Sequence, residues 1–260
     1  MKKEDKEIIY DLLKKADTYV TGFKSSAFEK DMAFEDDVVQ DEISQVSQTE
    51  MSQVQFSENS QKIQNQSTST VNEGLSLEDL KSKILRCTKC QLARTRNNVV
   101  PGEGVENPDV LVIGEGPGYD EDMSGRPFVG KAGVLLDKML AAINLDRTKN
   151  CYIANVVKCR PPNNRDPELD EQAACSGFLE AQIHLLKPKM ILCMGRIAGH
   201  KMLDTQVPLG QLRGQFHDYN GIPLMVTYHP SALLRDESLK APAWQDLKAF
   251  RKKLDEIKGQ

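Results

Sequence analysis

The sequence predicts an α/β fold, a three-layer α/β/α arrangement around a central, mainly parallel four-stranded sheet. Three observations carry this. Four short apolar runs, at 110–113, 151–157, 189–194 and 223–228, have the length and β-branched content of buried strands. Between them, segments 131–143, 167–186 and 196–203 place apolar residues at helical spacing. Glycine, proline and asparagine gather where the runs end. Strands alternating with helices need crossover connections, which makes them parallel and covers both faces of the sheet.

Taken in order, residues 4–23 set Ile8, Ile9, Leu12, Leu13, Ala16, Tyr19 and Val20 on one face of an amphipathic helix, a surface on which a protein partner could dock. Residues 36–74 are mostly Gln, Ser, Asn, Thr and acidic, and cannot bury enough apolar surface to offset their ordering entropy. A disordered linker is expected there, so the chain divides into an extension, 1–74, and a domain, 75–260. Ser76 and Asp79 fit a capping box ahead of Leu77, Leu80 and Ile84. After the first strand comes an elaborate glycine-rich loop, 114–130. A hairpin-like excursion is expected over 209–219, and a closing helix over 242–257.

The chain of 260 residues carries a net charge of -4, unevenly spread. Residues 1–74 hold 8 Lys/Arg against 15 Asp/Glu, and the remainder 26 against 23. The domain is thus mildly basic, which permits a nucleic-acid partner without requiring one. Met1 opens onto KKEDKE with no apolar signal region, and no apolar run approaches the roughly 20 residues of a membrane span. A cytoplasmic protein with no membrane contact is expected, its six cysteines reduced.

The loop GEGPGYDEDMSGRPFVG imitates two phosphate loops and fits neither. The third glycine of G-x-G-x-x-G falls on Tyr119, and the acidic run 120–122 would repel a pyrophosphate. Gly125 to Lys131 resembles a P-loop, but Ala132 lacks the hydroxyl that holds magnesium. Cys87 and Cys90 form a CxxC, with Cys159 after the second strand and Cys175 on the next helix. This spacing suits a zinc ion and an iron–sulfur cluster about equally. Cys151 and Cys193 lie within apolar strands and read as buried thiols. His229 ends the fourth strand ahead of Pro230, Ser231 and Arg235, the last two competent phosphate ligands. In a parallel sheet His229, Asn155 and the GEGPG loop emerge at one edge, where α/β proteins bind ligands.

The CxxC, GEGPG with GRPFVGKAG, NVVKCRPPNNR followed by Cys175, and HPSALLR together resemble the family 4 uracil-DNA glycosylases over 77–254. The resemblance implies that fold and a DNA-repair enzyme, here a monomer acting on single- or double-stranded uracil-containing DNA. It would hydrolyse the N-glycosidic bond of a flipped-out uracil. It implies a [4Fe–4S] cluster on Cys87, Cys90, Cys159 and Cys175. It places Phe128 under the base and Asn155 at the pyrimidine edge. His229 and the backbone of Glu115, Gly116 and Pro117 would face the other carbonyl. Glu121, then Glu115, are expected as catalytic carboxylates, and Ser231 and Arg235 as phosphate ligands. Glu115 and Gly118 stand where family 1 enzymes carry a water-activating Asp and a methyl-excluding Tyr. The segment 212–217 lacks the basic insert with which a related branch traps uracil sites. The rival readings are a non-catalytic iron–sulfur DNA-binding module and an electron-transfer protein.

Overall fold

The computed structural model of the protein describes residues 74–259. The expected helix over 4–23 and, Gly74 apart, the linker lie outside the described residues. Order begins as the capping pattern predicts. Ser76 Oγ accepts from the Asp79 N–H at 3.0 Å, and Asp79 Oδ2 accepts from the Ser76 N–H at 3.2 Å. These bonds open α1 (Leu77–Leu85), which buries Leu80 and Ile84. Then follow β1 (Glu103–Gly104), β2 (Val110–Gly114), α2 (Tyr119–Ser124), α3 (Lys131–Ala141), β3 (Cys151–Asn155), α4 (Leu169–Leu186) and β4 (Met190–Met194). The remainder is α5 (Arg196–Leu203), α6 (Leu209–Leu212), β5 (Phe216–Tyr219), β6 (Ile222–Thr227), α7 (Pro230–Arg235) and α8 (Lys240–Lys258).

The sheet has six strands in the order β1-β3-β2-β4-β6-β5, rather than the four expected. The four predicted strands are its parallel centre, and β1 and β5 add antiparallel edges. At two residues, β1 is too short to leave a periodic signal. The excursion before β6 is indeed a hairpin. Asn220 and Gly221 both have positive φ, 51° and 85°, as a two-residue turn matched to strand twist requires. Helix α2 sits inside the loop that its glycines and acids had made look irregular. Asp120, Glu121 and Asp122 occupy its first turn, where the helix dipole favours negative charge.

Alternate residues of the strands feed two cores. Leu111, Ile113, Ala154, Ile191, Cys193 and Val226 pack with residues of α1, α4 and α5. Val110, Val112, Ile153, Leu192 and Met225 pack with α3, α7 and α8. The three-layer arrangement follows from this alternation. No helix among the described residues is long and apolar enough to cross a membrane.

A buried carboxylate fastens the far end of the sheet. Asp246 of α8 accepts from Arg213 Nη2 at 2.6 Å, Arg213 Nε at 3.1 Å and Thr227 Oγ1 at 2.7 Å. It ties the approach to β5, the end of β6 and α8 together. Asp246→Ala would leave the Arg213 guanidinium without its counter-charge, a loss of about 3–5 kcal/mol for a buried pair. Urea unfolding of the variant should show that drop; an unchanged midpoint would mean that the pair does not hold the fold.

Candidate active site

In-register pairing sets Gly114 beside Asn155 and Met194 beside Thr227, so four parallel strands release their chains at one edge. A cleft of about 510 Å3 opens there. Glu115, Gly116, Pro117, Glu121, Phe128, Asn155, His229, Ser231 and Arg235, all singled out in the sequence, line it together.

Asn155 is 1% exposed, and its Oδ1 has no hydrogen-bond partner, alone among buried side-chain polar atoms of the described residues. Gly114 makes room for it. A Cβ there would lie 2.4 Å from Asn155 Oδ1 and 2.6 Å from Phe128 Cζ. Only a residue without a side chain lets the amide and the ring share that corner. Phe128 is buried with φ of 53°, a conformation costly for an aromatic residue. Arg147 pins the backbone there, donating to the Pro127 carbonyl at 2.9 Å and the Phe128 carbonyl at 3.0 Å. The Phe128 ring stands 5.5 Å from the His229 ring, tilted by 33°.

The orientation of His229 follows from its bonds. Its Nδ1 accepts from the Ser231 backbone N–H at 3.2 Å and lies 2.8 Å from Ser231 Oγ. A backbone N–H can only donate, so Nδ1 is unprotonated and the neutral ring carries its proton on Nε2. Burial, reinforced by nearby Arg235 and opposed by Glu121, lowers this histidine to about 4. It is therefore neutral at physiological pH.

The two carboxylates differ. Glu121 Oε1 accepts from the N–H groups of Val129 (2.9 Å) and Gly130 (3.1 Å), and Oε2 from that of Gly118 (3.0 Å). It clamps the two sides of the loop around Phe128. Burial raises Glu115 to about 7, with Asp166 adding and Arg196 and Arg235 opposing.

A second, small cavity is ringed by Cys87, Cys90, Cys159 and Cys175. Among the described residues no three thiols, imidazoles or carboxylates gather as they would around one bare ion. Four thiols around a shared space are a donor set suited to a thiolate-bound metal centre. The donors around them fit a thiolate-bound group as well. Arg96 Nη1 donates to Cys159 Sγ at 3.0 Å, and the Lys89 N–H to Cys87 Sγ at 3.5 Å. Lys158, 2% exposed, also lines this cavity. Its ammonium donates to the Asn155 carbonyl at 2.7 Å and to Gln182 Oε1 at 2.6 Å. Burial lowers it to about 8, with Cys175 and Cys159 pulling the other way. Cys151 and Cys193 are fully buried in strands, away from this cavity.

Several residues escaped the sequence reading. Arg165, Asp166 and Arg196 line the cleft, with Asp166 and Arg196 forming an ion pair. Nothing in local spacing marks that pair. Lys158 did leave a signal, a lone charge within the buried run 151–159.

The family model for the uracil DNA glycosylase superfamily matches residues 101–248. The type-4 uracil-DNA glycosylase of Archaeoglobus fulgidus is 38% identical over 193 residues, spanning 71% of this chain and 94% of that protein. Its namesake from Sulfurisphaera tokodaii is 42% identical over 185 residues, spanning 68% and 84%. That of Thermotoga maritima is 44% identical over 164 residues, spanning 62% and 85%. Family match, relatives and a sheet edge built around GEGPG, Asn155 and HPSALLR agree: the chain belongs to the uracil-DNA glycosylase superfamily, in its type-4 family.

Proposed function

We infer that the protein is a DNA-repair hydrolase that draws uracil out of the DNA stack, cleaves its N-glycosidic bond and leaves an abasic site. One observation carries the reading. The buried Asn155 Oδ1 lacks a protein donor in a cleft walled by an aromatic ring and a neutral imidazole. An unpaired buried acceptor costs about 1–3 kcal/mol, which a ligand that donates to it relieves. The uracil ring N–H is such a donor, and its neighbouring carbonyl accepts from the same amide. Cytosine presents an acceptor where uracil has N–H, so it would leave Asn155 Oδ1 facing a second lone pair. Phe128 supplies the stacking face.

The flipped base then meets His229. Its Nε2–H would donate to the other uracil carbonyl as negative charge grows there. A neutral imidazole donates this bond without surrendering its proton. The backbone from Glu115 to Pro117 closes the same side. Water activation falls to Glu115, whose raised proton affinity suits a base near neutral pH. Glu121 was the first candidate from sequence, but its three backbone bonds favour a role in holding the loop, with its charge helping the sugar cation. Ser231 and Arg235 would hold the flanking phosphates, and Ser231 also sets the His229 tautomer.

Cys87, Cys90, Cys159 and Cys175 would hold a [4Fe–4S] cluster, which when bound supplies a covalent cross-link between the end of α1, the exit of β3 and α4. All six cysteines are free thiols, as cluster ligation in a reducing cytoplasm requires. The domain would act as a monomer on single- or double-stranded DNA. The extension 1–74 would serve a protein partner rather than the chemistry.

Single-turnover release of uracil from an oligonucleotide tests the reading directly. His229→Ala should lower kcat by about 10² to 10³, the usual loss for a transition-state donor, while DNA binding changes far less. Equal loss of affinity and rate would make His229 a binding residue instead. The pH profile tests Glu115. With its carboxyl raised to about 7 it is neutral below that pH and ionised above it. The rate should therefore climb through neutrality, and the climb should move to higher pH once DNA phosphates add negative charge. Glu115→Gln should remove that climb; a profile unchanged by the substitution would rule Glu115 out as the base. For the cysteine centre, anaerobically purified protein should carry about four irons and four sulfides, as ligation by four cysteines implies. Cys159→Ser should lose them and Cys151→Ser keep them. One zinc without sulfide would overturn the assignment.

A further inference from the structure

One buried carboxylate joins the segment that follows the first two cysteines to the loop that walls the base pocket. Asp122, on α2, is 1% exposed. Its Oδ1 accepts from the backbone N–H groups of Asn97 at 2.9 Å and Asn98 at 3.1 Å. Its Oδ2 accepts from Asn97 Nδ2 at 2.6 Å. In return, Asn98 Nδ2 donates to the carbonyls of Asp122 at 2.7 Å and Met123 at 3.2 Å. These bonds fasten the 97–98 segment to a helix of only six residues, which has little stability of its own.

The fastening continues on both sides. One residue before Asn97, Arg96 donates to Cys159 Sγ and, at 2.7 Å, to the Cys87 carbonyl. One residue before Asp122, Glu121 holds the N–H groups of Gly118, Val129 and Gly130 around Phe128. Hydrogen bonds joined by adjacent backbone therefore lead from the four-cysteine cavity to the aromatic wall of the cleft. Asp122 is the link at which two separate stretches of chain meet.

We propose that Asp122 is a positioning residue for base recognition, setting α2 and the Glu121-held walls around Phe128 against the cysteine lobe. The proposal rests on the uracil-excising reading of the cleft. Asp122 reaches no substrate atom and acts through Glu121 and Phe128. A carboxylate is required because three donors converge on it and it has acceptors on both oxygens. Asn155 and His229 stand at the exits of β3 and β6, apart from the β2–α2 loop. Displacing α2 should therefore weaken capture of the base more than the chemistry that follows.

The test is a donor–acceptor swap in the cluster-loaded, full-length protein. Asn97→Asp sets a second carboxylate against the Asp122 carboxylate, acceptor facing acceptor. It should raise KM for a uracil-containing oligonucleotide about tenfold, the change made by 1.4 kcal/mol. The fall in kcat should be smaller, and iron and sulfide content unchanged. Hydrogen exchange at the Gly118, Val129 and Gly130 amides should quicken. Adding Asp122→Asn returns a donor opposite the new acceptor, and should recover most of both changes, as coupling between two touching residues demands. Wild-type KM and exchange in Asn97→Asp would overturn the proposal. So would a loss that the swap fails to restore, since that would mark Asp122 as a support of the fold alone. If the wild-type protein releases no uracil, the functional reading fails separately. The exchange rates and their rescue then still decide whether Asp122 sets the wall.

Discussion

The cleft depends on one pair of backbone neighbours, Gly114 and Asn155, at the end of the β2–β3 ladder. Parallel pairing without a slip puts a residue that offers no side chain beside the one buried side-chain oxygen, among the described residues, that lacks a partner. A slip of one residue would turn every side chain of β3 to the opposite face. Asn155 would then point into a core, and Val156 or Ala154 into the cleft. The buried, alternating cores on both faces are what forbid that slip. Packing far from the cleft thus fixes the orientation of the one amide proposed to read the base.

The electrostatics of the cleft run in the same direction. Burial keeps His229 neutral and brings Glu115 close to its point of protonation at neutral pH. Exposed arginines lie at 196 and 235, where a phosphate backbone would approach. A buried interior beneath exposed arginines is suited to receiving an uncharged base from a charged polymer. Behind the floor, the Lys158 ammonium is shared between the Asn155 carbonyl and Gln182, whose amide donates to the Pro101 carbonyl at 2.7 Å. The strand end that carries Asn155 is therefore braced from the side of the cysteine cavity.

Much of this was legible because it is periodic or local. The four central strands announce themselves by short β-branched runs, and the capping box at Ser76 by a spacing of three. The elements that were not foreseen have no such period. β1 is two residues long, and α2 hides in a loop whose glycines argue against helix. The Asn220–Gly221 turn was visible as a pair but lay just beyond the excursion as drawn. Site residues at strand ends were readable because topology alone brings strand ends together. The different settings of Glu115 and Glu121 were not, since they turn on which backbone amides the folded loop presents. Likewise, nothing in the spacing of Asn97 and Asp122 could announce a contact across 25 residues.

Phe128 occupies a left-handed backbone conformation that a glycine would adopt freely. Selection for folding alone would favour glycine at that position, or a chain that avoided the bend. An aromatic residue kept there sets thermodynamic robustness against molecular recognition. The local strain, of order 1–3 kcal/mol, is tolerated because Arg147 and the Glu121 clamp over-determine the bend. Attempts to make this protein hardier by relieving its least comfortable residue would remove the aromatic surface proposed to stack the base.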